Sequence, residues 1–165
     1  MNLEAFTIES MYRILLVMLV LTLIAAAPRR PEIVTIPAGE PFEMRAGGKV
    51  EFPLNLKILK GFHIQSNPAS EEYLIATTVK LEPTEGITPD APIYPKGIAF
   101  RIKGSEKEIT TYENEIAIKI PIQADTSAST GDRILKGTVR YQGCDATTCF
   151  PPTILPFEVK LIVAR

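Results

Sequence analysis

The chain has 165 residues, 45% of them hydrophobic and 22% charged, with 14 Pro, 10 Gly, two Cys, one His and no Trp. That length and balance fit one ordinary globular domain and exclude a multi-domain enzyme. Eighteen Lys and Arg against nineteen Asp and Glu leave no basic surface for neutralising phosphates, so nucleic acid is not an expected partner. Two cysteines and His63 fall short of the four ligands of a closed zinc site, so neither a structural metal nor a cofactor is expected.

Residues 1–27 read as a secretory signal peptide: Arg13 precedes an apolar run from Ile14 to Ala27 that ends in Ala25-Ala26-Ala27. The run is shorter than the roughly 20 residues a membrane-crossing helix needs. Pro28 after the proposed cut hinders cleavage, so residues 14–27 act as an anchor if they are retained, and Met11 is an alternative start. Without residues 1–27 the chain carries 17 basic and 17 acidic residues. An exported chain meets an oxidising compartment, periplasmic or otherwise extracytoplasmic, so the two cysteines are read as a pair.

Residues 32–165 show no long 3.6-residue periodicity, only short aliphatic and β-branched runs punctuated by Pro, Gly, Asn and Asp, which predicts an all-β sandwich. In chain order the predicted strands are Ile33–Ile36, Lys49–Ile58, Phe62–Gln65, Ile75–Leu81, Ala99–Ile102, Glu115–Ile122, Ile134–Tyr141 and Leu155–Val163. Alternation is clearest where Ile116, Ile118, Ile120 and Ile122 share one face, which is assigned to the core. The intervening stretches read as turns or loops, of which Pro83 to Gly97 is the longest and is expected to be functional or to wrap a sheet edge. Gly104 to Glu108 reads as a solvated loop bearing Lys107 and Glu106.

The last two strands flank Cys144 and Cys149, which places the cysteines opposite each other near a hairpin turn. Directly opposed residues are slightly wide of disulfide geometry, so local twist must close the gap. A structural staple and a working disulfide both fit. A loop of about six residues stabilises by only roughly 2 kcal/mol, little help to a domain of this size, and labile local disulfides suit redox exchange. No helix start adjoins either thiol to activate it, and Asp145 would raise its pKa, so the pair suits attack by a partner's thiolate.

Three blocks carry a family resemblance: Gly61-Phe62-His63-Ile64-Gln65-Ser66-Asn67-Pro68; Pro92-Ile93-Tyr94-Pro95-Lys96-Gly97; and Gly137 through Cys144 and on through Cys149-Phe150-Pro151-Pro152. In this order they resemble the amino-terminal domain of DsbD, the bacterial thiol:disulfide interchange protein. The resemblance implies a periplasmic, immunoglobulin-like antiparallel β-sandwich in which Cys144 and Cys149 are the redox cysteines, with Cys149 the one bonded to partners. It also implies a thioredoxin-like or membrane electron-transfer protein as donor, and disulfide isomerases or cytochrome c maturation proteins as acceptors. The sequence carries no multi-helix membrane domain or thioredoxin-like domain, so any electrons are expected from a separate protein. On this reading the chain is at most one component of a protein-disulfide reductase.

The family often shields its cysteines with an aromatic-bearing cap loop, but the corresponding stretch, Gly104 to Thr111, has no aromatic residue; Phe100 and Tyr112 are the nearby candidates. Tyr141, Asp145, Phe150 and His63 are the candidate partner-contact residues, His63 also as a proton donor to a leaving thiolate. Against these stand plain roles, core packing for Tyr141 and Phe150 and a structural imidazole for His63. A reading from another class, a non-redox immunoglobulin-like binding or structural domain with an inert disulfide, competes with the interchange module.

Overall fold

The computed structural model describes residues 10–16 and 31–165; the signal-peptide assignment to residues 1–27 falls largely outside the described residues. Residues 10–16 form one short helix. Among the described residues no helix is long and apolar enough to cross a membrane.

Residues 32–165 form a separate compact unit of twelve strands: β1 (Val34–Thr35), β2 (Phe42–Arg45), β3 (Lys49–Ile58), β4 (His63–Gln65), β5 (Thr78–Leu81), β6 (Ile87–Pro89), β7 (Ile98–Arg101), β8 (Glu108–Tyr112), β9 (Glu115–Ala124), β10 (Gly131–Tyr141), β11 (Gly143–Cys144) and β12 (Thr153–Ala164). They make three four-stranded sheets, ordered β1-β3-β9-β6, β2-β12-β10-β5 and β11-β4-β8-β7. Every pairing is antiparallel except β2 with β12.

The first two sheets are the layers of the sandwich. Phe52, Leu54, Leu56 and Ile58 of β3 and Ile118, Ile120, Ile122 and Ala124 of β9 point inward, as their alternation predicts. They meet Leu135 and Val139 of β10, Phe157, Leu161 and Val163 of β12 and Met44 of β2 in one core. Phe42 and Phe52 stack across the layers with ring centroids 4.9 Å apart. Each fully buried Leu or Ile contributes roughly 1.5–3 kcal/mol by leaving water. Pro53 lies within β3 yet costs no ladder bond on the β1 side, because β1 pairs only with Lys57 and Ile58.

The structure differs from the predicted elements in four places. β2 pairs with the end of β12 in a parallel ladder that its four residues do not announce. The Pro83–Gly97 stretch contributes β6 and an Ile93–Lys119 bridge along the edge of β9, and the Tyr94 hydroxyl accepts from Val79 N at 3.0 Å. β8 occupies residues between the expected loop and Glu115, and β11 is split from β10 at Gln142.

The third sheet extends the sandwich at one end. β3 leads into β4, β8 leads into β9 and β10 leads into β11, so three strand pairs run from the two main layers into the small sheet. At the β8–β9 step, Asn114 takes a left-handed φ of 59°, a conformation Asn tolerates, and its carbonyl accepts from Ile58 N at 2.6 Å. This small sheet carries the cysteines.

Candidate functional site

Cys144 and Cys149 form a disulfide, and their Cα atoms lie 4.0 Å apart. The two residues make an antiparallel bridge, as their place opposite each other in the sequence predicts. The loop between them is a tight turn in which Asp145 N donates to Thr148 O at 2.9 Å, while Phe150 N donates to Gly143 O at 2.8 Å below the bridge. Asp145 closes this turn. Its Oδ1 accepts from the backbone amides of Thr147 and Thr148, both at 2.8 Å, and from the Thr147 hydroxyl at 3.0 Å. These hydrogen bonds to its charged form hold the Asp145 carboxyl below the usual carboxylate range.

The two cysteines differ in exposure. Cys144 is fully buried at 0% exposure, whereas Cys149 is only half-buried. β11 pairs with β4 through Gly143 opposite Ile64 and Cys144 opposite His63, which places Cys144 inside the small sheet and Cys149 at its margin.

Gln142 holds the arms of the hairpin. Its Nε2 donates to Phe150 O at 3.3 Å, and its Oε1 accepts from Ile75 N at 3.1 Å. The three sequence blocks converge here. Gln65 N donates to Gln142 O at 3.2 Å, Asn67 N donates to the Tyr112 hydroxyl at 3.0 Å, and that hydroxyl donates to Pro95 O at 2.9 Å. Tyr112 is thus a buried strut, with its phenol pKa pushed up by burial.

The contact candidates separate by burial. Phe150 is half-buried, its ring centroid 6.1 Å from that of Phe62, and Asp145 is partly exposed. Tyr141 is buried at 4% exposure and belongs to the core. Burial raises its phenol pKa, and hydrogen bonds with the Thr153 side chain and the Val34 backbone oppose that shift. It offers no surface to a partner in this conformation. His63 is also buried, at 2%, with its ring centroid 3.8 Å from that of Phe100.

His63 Nε2 has no hydrogen-bond partner. Burial depresses the His63 pKa, and nearby Asp145 partly offsets this. The unfolded chain therefore binds a proton near pH 6.5 that the folded chain resists, so stability is full above that pH and falls as the pH drops through the folded value. Thermal unfolding of the full chain at pH 7.5 and pH 5.5 should show a loss at the lower pH that a His63→Phe variant lacks; equal losses in both would remove His63 as the cause.

Two further residues complete the site, the first of them one of the two aromatics that the sequence offers as a shield for the cysteines. Phe100, on edge strand β7, covers His63, the register partner of Cys144. The turn that follows β7 reaches the cysteine loop, with Lys103 N donating to Ala146 O at 3.0 Å. Between them lies a pocket of about 290 Å³ lined by Phe62, His63, Phe100, Asn114 and Ala146 among others. The second is Gln65, fully buried, whose Nε2 lies 3.3 Å from Cys144 Sγ and 3.9 Å from Cys149 Sγ. A polar residue on a strand next to His63, inside a block that pairs with the cysteine strand, is the signal that would have found it.

Residues 32–159 match the family described as thiol:disulfide interchange protein DsbD, N-terminal. Among solved structures the chain is similar to the DsbD N-terminal domain of Neisseria meningitidis in the reduced form, at 19% identity over 65% of this chain and 74% of that one, with a TM-score of 0.42. It is similar to the N-terminal periplasmic domain of ScsB from Proteus mirabilis, at 16% identity over 78% of this chain and 44% of that one, with a TM-score of 0.48. It is also similar to the seventh ScaB type I cohesin of Pseudobacteroides cellulosolvens, at 12% identity over 75% and 88% of the two chains, with a TM-score of 0.46. No curated protein matches it significantly.

Proposed function

The chain belongs to the family of DsbD amino-terminal domains, and from that membership we infer that it is a thiol–disulfide interchange module working through Cys144 and Cys149. The observation that carries the reading is a disulfide between one fully buried and one half-buried cysteine at the margin of a small sheet, in a family of interchange domains. The competing reading, an inert binding domain, is not favoured by that membership.

In the mechanism we propose, a partner thiolate attacks Cys149 Sγ. The partner–Cys149 bond forms, the Cys144–Cys149 bond breaks, and the electron pair leaves on Cys144 as a thiolate. The partner's second thiolate then attacks its own sulfur in the mixed disulfide, releasing Cys149; the partner is oxidised and the domain carries two thiols. The reverse sequence passes the electrons to an acceptor disulfide.

The donors and acceptors are proteins with low-pKa thiols of the thioredoxin-like kind, including membrane electron-transfer proteins and, as acceptors, disulfide isomerases or cytochrome c maturation proteins. Half-buried Phe150 and the Asp145–Thr148 turn flank Cys149 and supply the contact surface. We place the domain in the periplasm or another extracytoplasmic compartment, with residues 1–27 as its export signal, or residues 14–27 as its anchor if uncleaved.

The test is the reduction potential of the full chain against glutathione. The expected value lies above about −300 mV, within reach of thioredoxin-like partners. A potential well below that would class the bond with inert structural disulfides and overturn the reading.

A further inference from the structure

Among the described residues, the side-chain hydrogen bonds to the exchanging sulfurs come from Gln65, whose Nε2 reaches Cys144 Sγ at 3.3 Å and Cys149 Sγ at 3.9 Å. We propose that Gln65 is a catalytic hydrogen-bond donor of the exchange reaction, its amide stabilising the thiolate that departs on buried Cys144 when a partner attacks Cys149. The proposal rests on the interchange reading and adds to it the group that makes the buried sulfur a competent leaving group.

The environment of Gln65 argues for this role over simple packing. The residue is 0% exposed, and burying an amide is costly unless its polar atoms are satisfied. Its Oε1 has no partner, so the hydrogen bonds of the amide are spent on sulfur. A disulfide sulfur can only accept, which fixes Nε2 as the atom facing it. The backbone of Gln65 is held on both sides: its N donates to Gln142 O, next to the cysteine strand, and its O accepts from the Thr77 hydroxyl at 2.6 Å. The donor is therefore in place before the bond breaks.

The electron balance locates its effect. Attack on Cys149 forms one S–S bond, breaks another and leaves a full negative charge on Cys144 Sγ, where no water reaches at 0% exposure. An N–H donor gains strength when its acceptor becomes ionised, so Gln65 stabilises the departing thiolate more than the disulfide it starts from. Asp145 adds no compensating positive charge there, and the Lys103 contact to the cysteine loop is a backbone one.

The test compares the full chain with its Gln65→Met variant, which keeps length and apolar bulk but has no donor. Dithiothreitol should reduce the variant's disulfide about tenfold more slowly, and the Cys144 thiol of the reduced variant, followed by thiolate absorbance, should titrate about one pH unit higher. A folded variant with an unchanged rate and an unchanged titration overturns the proposal. If Gln65→Met does not fold, the side-chain amide protons of Gln65 in the reduced wild-type chain supply the answer: a chemical shift that follows the Cys144 titration supports the bond, and one that ignores it overturns it. A wild-type chain that resists reduction by glutathione fails the interchange reading itself, whereas a competent wild type matched by its variant fails only the role of Gln65.

Discussion

A Cys144→Ala variant, in which Cys149 is the only thiol, is expected to react with dithiodipyridine and to trap a thioredoxin-like partner at least about tenfold faster than a Cys149→Ala variant. Both variants lose the same disulfide, which closes a loop with a sequence separation of 5, so each forfeits the same stabilisation of about 2 kcal/mol. What differs is access. Cys149 is half-buried at the margin of the small sheet and lies outside its strands, so an incoming sulfur is expected to reach it without opening a strand. Cys144 is 0% exposed and sits in β11, paired with β4, so its reaction requires β11 to open first. The opening free energy enters the rate of one variant and not of the other. Trapping and labelling at equal rates would mean that the loop Asp145–Thr148 opens freely in both, and the assignment of Cys149 as the attacked sulfur would be lost. Faster reaction through Cys144 would reverse it.

Much of this site is legible in the sequence because local patterns decide it. Lys49–Ile58 forms with the bounds its alternation predicts, and the isoleucines of β9 turn to the core because a half-buried strand permits no other arrangement. The cysteines meet because their strands are joined by a short turn, a local matter. The elements that local pattern does not announce depend on distant partners. Phe42–Arg45 is too short, between Pro41 and Gly47, to be a strand without the end of β12 beside it. Glu108–Tyr112 shows little alternation, since β8 lies between β4 and β7 and is buried toward its Tyr112 end. The role of Gln65 is not legible for the same reason, and Phe100 is legible only as an aromatic close to the expected cap stretch. One becomes a donor to sulfur, and the other a cover for His63, only after β4 is enclosed between β11 and β8. His63 and Gln65 share a strand face, as their spacing predicts, but both faces of β4 are buried, so that face became the interior of the site and not its rim.

Gly137→Ala should be among the most destabilising single-methyl changes in the domain, at about 2–3 kcal/mol, read as a fall in Tm of roughly 6–12 °C. An added methyl on a strand ordinarily stabilises slightly, by limiting the unfolded chain, so the sign here is set by what the methyl meets. A Cβ at Gly137 would stand 2.6 Å from Lys80 O and 2.6 Å from Phe157 Cζ. Lys80 O is backbone in β5, which pairs with β10 at this point, and Phe157 is a core side chain at 6% exposure on the other neighbouring strand. Relief therefore requires either a ladder to part or the ring to leave the core. Gly143→Ala is the control within the same block. Its Cβ would meet Ile33 Cδ1 at 2.5 Å and Cγ2 at 3.2 Å, side-chain atoms only and no backbone of a neighbouring strand, so the loss should be smaller than at Gly137. A Gly137→Ala variant melting within about 2 °C of wild type, or a Gly143→Ala variant falling as far, would contradict this ordering. Because β10 runs through Gln142 into β11, parting its ladder at Gly137 would also loosen the strand that keeps Cys144 buried, and the two sulfurs would then react more nearly alike.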